Sequence, residues 1–192
     1  MKAKRVIWGI IFGLCAVVLI FILARIFMMD DNDTLSEIYP TENAVAAYGE
    51  GREFLWHEPF ESIADDGYFS ASGMIYCRET GELQITGRYN ESLFTYLNAP
   101  EDTEFTWKLV DKASEKEYEG VTVASETKYI YNYRRIIFEG VEINDESEVY
   151  LFLCYGDKYP VEDETEGLLL HIPGDKFKAY KLSKEEIAAL TK

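Results

Sequence analysis

The sequence predicts an all-β protein: an antiparallel β-sandwich carried on one N-terminal transmembrane helix. Three observations lead there. Val6–Ala24 contains no charged residue. From Tyr68 onward, short alternating runs are divided by turn residues at intervals of roughly 10–20 positions, the rhythm of a sheet protein. No amphipathic stretch of about 12 residues lies between those runs, as βαβ units would require.

The anchor comes first. Met1–Arg5 carries Lys2, Lys4 and Arg5, the apolar run follows, Arg25 interrupts it, and Asp30, Asp31 and Asp33 end it. As a helix, residues 6–29 reach about 36 Å, enough for a hydrocarbon core of about 30 Å. Arg25 stands one turn from the far end, where its stem can lift the guanidinium to the headgroups. Basic residues before the span and acidic ones after it place residues 1–5 in the cytoplasm and the rest outside. The run is longer than a cleavable signal needs, and Ile26–Met29 lacks a small-x-small site, so the anchor is expected to be retained. Cys15 follows Phe12 and Leu14, too bulky for a lipoprotein signal.

Charge is distributed as unevenly as hydropathy. All 35 acidic residues follow Met29, while only 15 of the 19 basic ones do, and the formal charge of the whole chain is −16. Such a surface repels nucleic acid and anionic lipid. Abundant aromatic and β-branched residues argue for one folded domain of ordinary size.

Residues 30–66 read as an acidic juxtamembrane stalk with Pro40 and Pro59. Within it Glu42–Tyr48 suits a short helix ended by Gly49. Phe54, Leu55, Trp56 and Phe60 are too apolar for a solvated tether and are expected to dock on the domain that follows.

That domain is expected over residues 67–192. Tyr68–Cys77 and Glu82–Tyr89 flank Arg78-Glu79-Thr80-Gly81, a hairpin pattern. Leu83, Ile85, Gly87 and Tyr89 alternate with polar residues, the period of a half-buried strand. Phe105, Trp107 and Leu109 share one face of a third strand and should turn inward together. Further strands are expected over residues 117–123, 128–133, 135–143, 148–155, 167–172 and 177–182. Ser183-Lys184-Glu185-Glu186 is a capping box opening a short C-terminal helix, in which Ile187 and Leu190 share a face.

This outline resembles immunoglobulin-like or fibronectin-III-like sandwiches in architecture alone. A true immunoglobulin domain sets a Trp shortly after its first Cys, whereas Trp107 lies far beyond Cys77. No family residues are carried over.

Little in the sequence specifies chemistry. His57 and His171 are widely separated, and neither sits in a nucleophile–base pattern. Paired carboxylates are inevitable among so many acids and specify nothing. Asp30-Asp31-Asn32-Asp33 lacks the Gly and Glu of an EF-hand, and no zinc spacing or phosphate-binding glycine loop occurs, so neither metal nor cofactor is expected. Cys77 and Cys154 admit two readings, a disulfide or two buried thiols. Asn32-Asp33-Thr34 and Asn90-Glu91-Ser92 match the glycosylation pattern.

The candidate binding residues are Tyr129, Tyr131, Tyr133, Arg134 and Arg135. Tyrosines at i, i+2 and i+4 of a strand share a face, and the arginines bring positive charge to an acidic domain. Exposed, they would suit a carboxylate-bearing glycan or peptide; buried, they are ordinary rim residues. The sequence therefore favours a membrane-tethered binding module with a protein or glycan ligand. An outer-face carboxylate-based hydrolase is the alternative. A third reading is a structural subunit of an envelope complex, with Gly9 and Gly13 spaced for helix association.

Overall fold

The computed structural model describes residues 2–27, 38–57, 69–71, 73–90, 105–128, 131–155 and 169–192. Two compact units are present, Met1–Asp33 and Thr34–Lys192.

The described part of the first unit is the helix α1 (Lys2–Phe27). Its large apolar side chains from Ile7 to Leu23 are all exposed, from 43% at Leu23 to 70% at Phe12. Among the described residues no helix is long and apolar enough to cross a membrane.

The second unit is mostly antiparallel β-sheet, curled into a half-barrel, with short helices. Its elements are α2 (Glu42–Gly49), β1 (Phe54–His57), β2 (Phe69–Ala71), β3 (Met74–Cys77), β4 (Glu82–Asn90) and β5 (Phe105–Asp111). They continue with β6 (Lys116–Lys128), β7 (Tyr131–Phe138), β8 (Glu148–Tyr155), β9 (Leu169–Pro173), β10 (Lys178–Tyr180) and α3 (Lys184–Leu190). The strand order is β10-β1-β3-β4-β7-β6-β5-β8-β9, with β2 also on β4. The all-β class holds. Among the described residues the ten strands form one hydrogen-bonded sheet, and the two sheets of an immunoglobulin-like or fibronectin-III-like sandwich are not seen as separate layers. Curling lets that single sheet enclose its own apolar face.

The enclosed face carries the main core. Leu83 and Ile85 of β4, Phe105, Trp107 and Leu109 of β5, Ile136 and Phe138 of β7, and Leu151 of β8 all point into it. The inward turn expected for the β5 triplet is observed, with Trp107 2% exposed and Leu109 fully buried. Gly120 of β6 makes room for these side chains. A Cβ there would lie 2.6 Å from Ile136 Cγ2 and from the Phe138 ring.

The opposite face is covered at one end by the helices. Phe54, Ile75 and Cys77 pack there with Ile38, Ala44, Ala47 and Leu190. Residues 38–57, expected as stalk, thus belong to the compact unit: Phe54 pairs with both Cys77 and Tyr180. The Thr41 hydroxyl caps α2 by accepting from Ala44 N at 3.0 Å. The left-handed residue after α2 is Gly51, not Gly49, since α2 runs one residue further than expected. Ser183 and Glu186 form the complete capping box of α3.

The strands expected over residues 117–123, 128–133 and 135–143 are two, β6 and β7. Residues 116–128 form one long strand, so Tyr131 opens β7 and Tyr129 lies outside the described residues. The β6–β7 ladder shifts register between Thr122 and Ala124. A one-residue offset also separates the pairs Ala71–Gly87 and Ile75–Gln84 along β4. Bulges of this kind add twist and help a sheet curl.

Candidate functional site

The sequence singled out a tyrosine–arginine run, and the structure separates its members by face and by depth. Within β7, Tyr131, Tyr133 and Arg135 share the face that bears the helices, while Arg134 points to the other side. Tyr133 is 1% and Arg135 2% exposed. Tyr131 and Arg134 are half-buried. Of the three rings weighed as an exposed platform or as buried rim residues, Tyr133 is buried, Tyr131 is half-buried and Tyr129 lies outside the described residues.

New neighbours surround Tyr131. The register places it between Asn90 of β4 and Lys128 of β6. One step along β4, the Arg88 guanidinium carbon sits 4.6 Å from the Tyr131 ring centroid. Asn90, Tyr131, Lys128 and Arg88 are all half-buried. On the reverse side Arg134 lies 5.6 Å above the Tyr89 ring and donates to Tyr133 O at 2.9 Å. Burial pushes the Tyr89 hydroxyl above its ordinary pKa, and the positive charge of Arg134 partly offsets this. Each cation–ring pair is a diagonal cross-strand contact, the reach expected of long side chains on a pleated sheet.

Arg88 and Asn90 could have been placed together from the alternation of β4. Lys128 could not, because nothing local says that β6 lies beside β7 at that register.

A second polar cluster lies on β8 and β9. Glu148 and His171 are in direct contact through Oε2 and Nε2. The His171 ring stacks on Tyr150 at 4.8 Å, and Lys112 Nζ lies 4.6 Å from that ring. Asp111 is close in sequence to Lys112 but points the other way. It pairs across the ladder with the core residue Val149, whereas His171 pairs with Tyr150. Asp111 accepts from Ala113 N and Ser114 Oγ, and from Ser147 Oγ at 3.5 Å. Ser147 and His171 thus stand on opposite faces of the sheet, and the two cannot act as nucleophile and base. His57, the other histidine, is buried in β1 edge-on to Phe177 at 5.1 Å.

Cys77 and Cys154 are both free and buried, so the disulfide reading is corrected. Cys77 packs beneath the helices and Cys154 lies on β8. Burial pushes the Cys154 thiol up to about 11. Among the described residues no group of three or more His, Cys, Asp or Glu side chains is arranged to hold a metal. Asn90 of the second glycosylation pattern is a half-buried strand residue, and Asn32 falls outside the described residues.

Compared with family models, curated proteins and solved structures, the chain matches none.

Proposed function

We propose that the protein is a membrane-anchored, extracytoplasmic binding module. The observation that carries this reading is the exposure of every large apolar side chain described in α1. A helix that is apolar all round needs apolar surroundings, either lipid or protein. The described run of Ile7–Leu23 continues in the sequence through Val6 and Ala24, giving an uncharged stretch near the length of a span. Lys2, Lys4 and Arg5 before it and the acids after it set the N-terminus inside. The ligand site of this reading is the sheet face around Tyr131, where a half-buried aromatic ring offers contact at small entropic cost.

The test is fractionation of cells expressing the full chain with a C-terminal tag. The protein is expected to resist carbonate extraction and to dissolve in detergent. Protease given access to the outer face of the membrane should remove the tag. Release by carbonate, or digestion only after the membrane is opened, sinks the reading.

A further inference from the structure

We propose that the outer edge of β9 takes an extended basic segment of a partner protein as an added β-strand. The edge is separate from the Tyr131 face, and its test is independent of the membrane-anchored reading. Among the described residues β9 pairs with β8 alone. The register of that ladder shows which main-chain groups are spare. Gly174 follows Pro173, Ser147 precedes Glu148, and Gly174 N donates to Ser147 O at 3.0 Å. A bond in that position flanks a pair, here Glu148–Pro173, that is not itself hydrogen-bonded. The bonded pairs are therefore Val149–Ile172 and Leu151–Leu170. The N–H and C=O groups of Leu169 and His171 point away from β8, at the open edge.

Edge strands are ordinarily blunted by charge, by shortness or by proline. At the other end of the sheet β10 has three residues and opens on Lys178. By contrast, β9 reads Leu-Leu-His-Ile-Pro, with no Lys, Arg, Asp or Glu. Its proline stands last, where it removes neither the Leu169 nor the His171 N–H. An added strand gains affinity from such main-chain groups, and its alternate side chains give specificity.

Charge selects the occupant. The chain carries −16, so a second copy is repelled and a cationic segment is drawn in. The balance of charge at the end of β9 is also acidic. The turn before β8 packs on Gly174 so closely that its Asn144 carbonyl leaves no room for a Cβ there, and Asp145 and Glu146 of that turn are exposed. Lys176 is paired with Asp175 at 3.1 Å, and Lys112 lies over Tyr150, farther from the edge. On the inward face Ile172 is fully buried in the main core, and half-buried Phe177 packs against that core. The segment that fits therefore alternates basic residues, on the face of His171, with apolar ones on the face of Ile172.

Amide hydrogen exchange of the full chain in detergent micelles, followed by NMR, tests this with the peptide Lys-Val-Lys-Val-Lys-Val-Lys. Without peptide, the Leu169 and His171 amides are expected to exchange fast, and those of Leu170 and Ile172, bonded to β8, slowly. Saturating peptide should slow the first two by about tenfold or more. The same peptide N-methylated at every amide keeps its charge but cannot pair, and it should protect neither. Glu-Val-Glu-Val-Glu-Val-Glu should also protect neither. His171→Pro removes an outward N–H without breaking a bond to β8, and should weaken peptide binding about tenfold, whereas His171→Ala should leave it unchanged. Should His171→Pro fail to fold, the N-methylated peptide decides. Fast exchange that persists with peptide, equal protection by either control peptide, or unchanged affinity in a folded His171→Pro variant overturns the proposal. Slow exchange of Leu169 and His171 before any peptide is added overturns it as well, because the edge is then already covered.

Discussion

Gln84 pairs with the backbone of Tyr39 through both ends of its side-chain amide. Its Oε1 accepts from Tyr39 N at 2.7 Å and its Nε2 donates to Tyr39 O at 2.9 Å. A side chain thus stands in for a neighbouring strand. The same Nε2 donates to Glu82 at 2.8 Å, and Glu82 in turn accepts from the Thr41 hydroxyl that caps α2. Gln84 and Glu82 are 1% and 3% exposed, a depth at which polar groups need partners. This network explains how Glu82 and Gln84, on the polar face of β4, can be buried as deeply as the apolar residues opposite.

Gln84→Ala is therefore expected to destabilise the domain by about 2 kcal/mol, because partners of the lost amide are left unsatisfied. Denaturant melts check this. A loss under about 0.5 kcal/mol, within the range of an ordinary surface substitution, would show that residues 38–49 are only loosely held.

Trp107→Ala should cost about 3–5 kcal/mol, the range for truncating a buried aromatic. Gly120→Ala should cost about 1–3 kcal/mol for the opposite reason, overpacking against Ile136 and Phe138. Both are read from chemical denaturation. An unchanged midpoint in either variant would contradict the close approach of these groups.

Alkali should lower the stability of the domain over two overlapping pH windows. The Cys154 thiol is held at about 11, chiefly by burial. The Tyr180 hydroxyl is held at about 12 by burial and by the Glu186 carboxylate that accepts from it. Both groups are neutral when protonated, and both folded values are raised above the unfolded ones. Their contribution is complete below the unfolded values and is lost as pH rises through the folded ones. Stability should thus fall between pH 9 and 11 for Cys154, and between pH 10 and 12 for Tyr180. Cys154→Ala is expected to remove the earlier loss. A flat stability profile across pH 9–11 in the parent protein would sink this account.

Thiol titration checks the burial of the cysteines. Cys77 and Cys154 are expected to react with a disulfide reagent at neutral pH only after unfolding, since reactivity follows exposure and thiolate character. Fast reaction of either in the folded protein would contradict their burial.

The residues themselves determined whatever depends on near neighbours. The Ser183–Glu186 capping box, the β3–β4 turn through Gly81, the alternation of β4 and the inward triplet around Trp107 each lie within a few positions, so their geometry follows from local periods and hydrogen bonds. The all-β class follows from the same periods. Only the tertiary structure decided how the strands meet. Phe54–His57 joins the sheet because β3 and β10 offer it two edges, neither visible from its own composition. One curled sheet replaces two flat layers because bulges and pairing partners are set by contacts far apart in sequence. The candidate site shows the same division. Arg88 and Asn90 share a face by strand period alone. Their meeting with Tyr131 and Lys128 depends on the register of three strands, because a shift of one residue would turn each side chain to the other face.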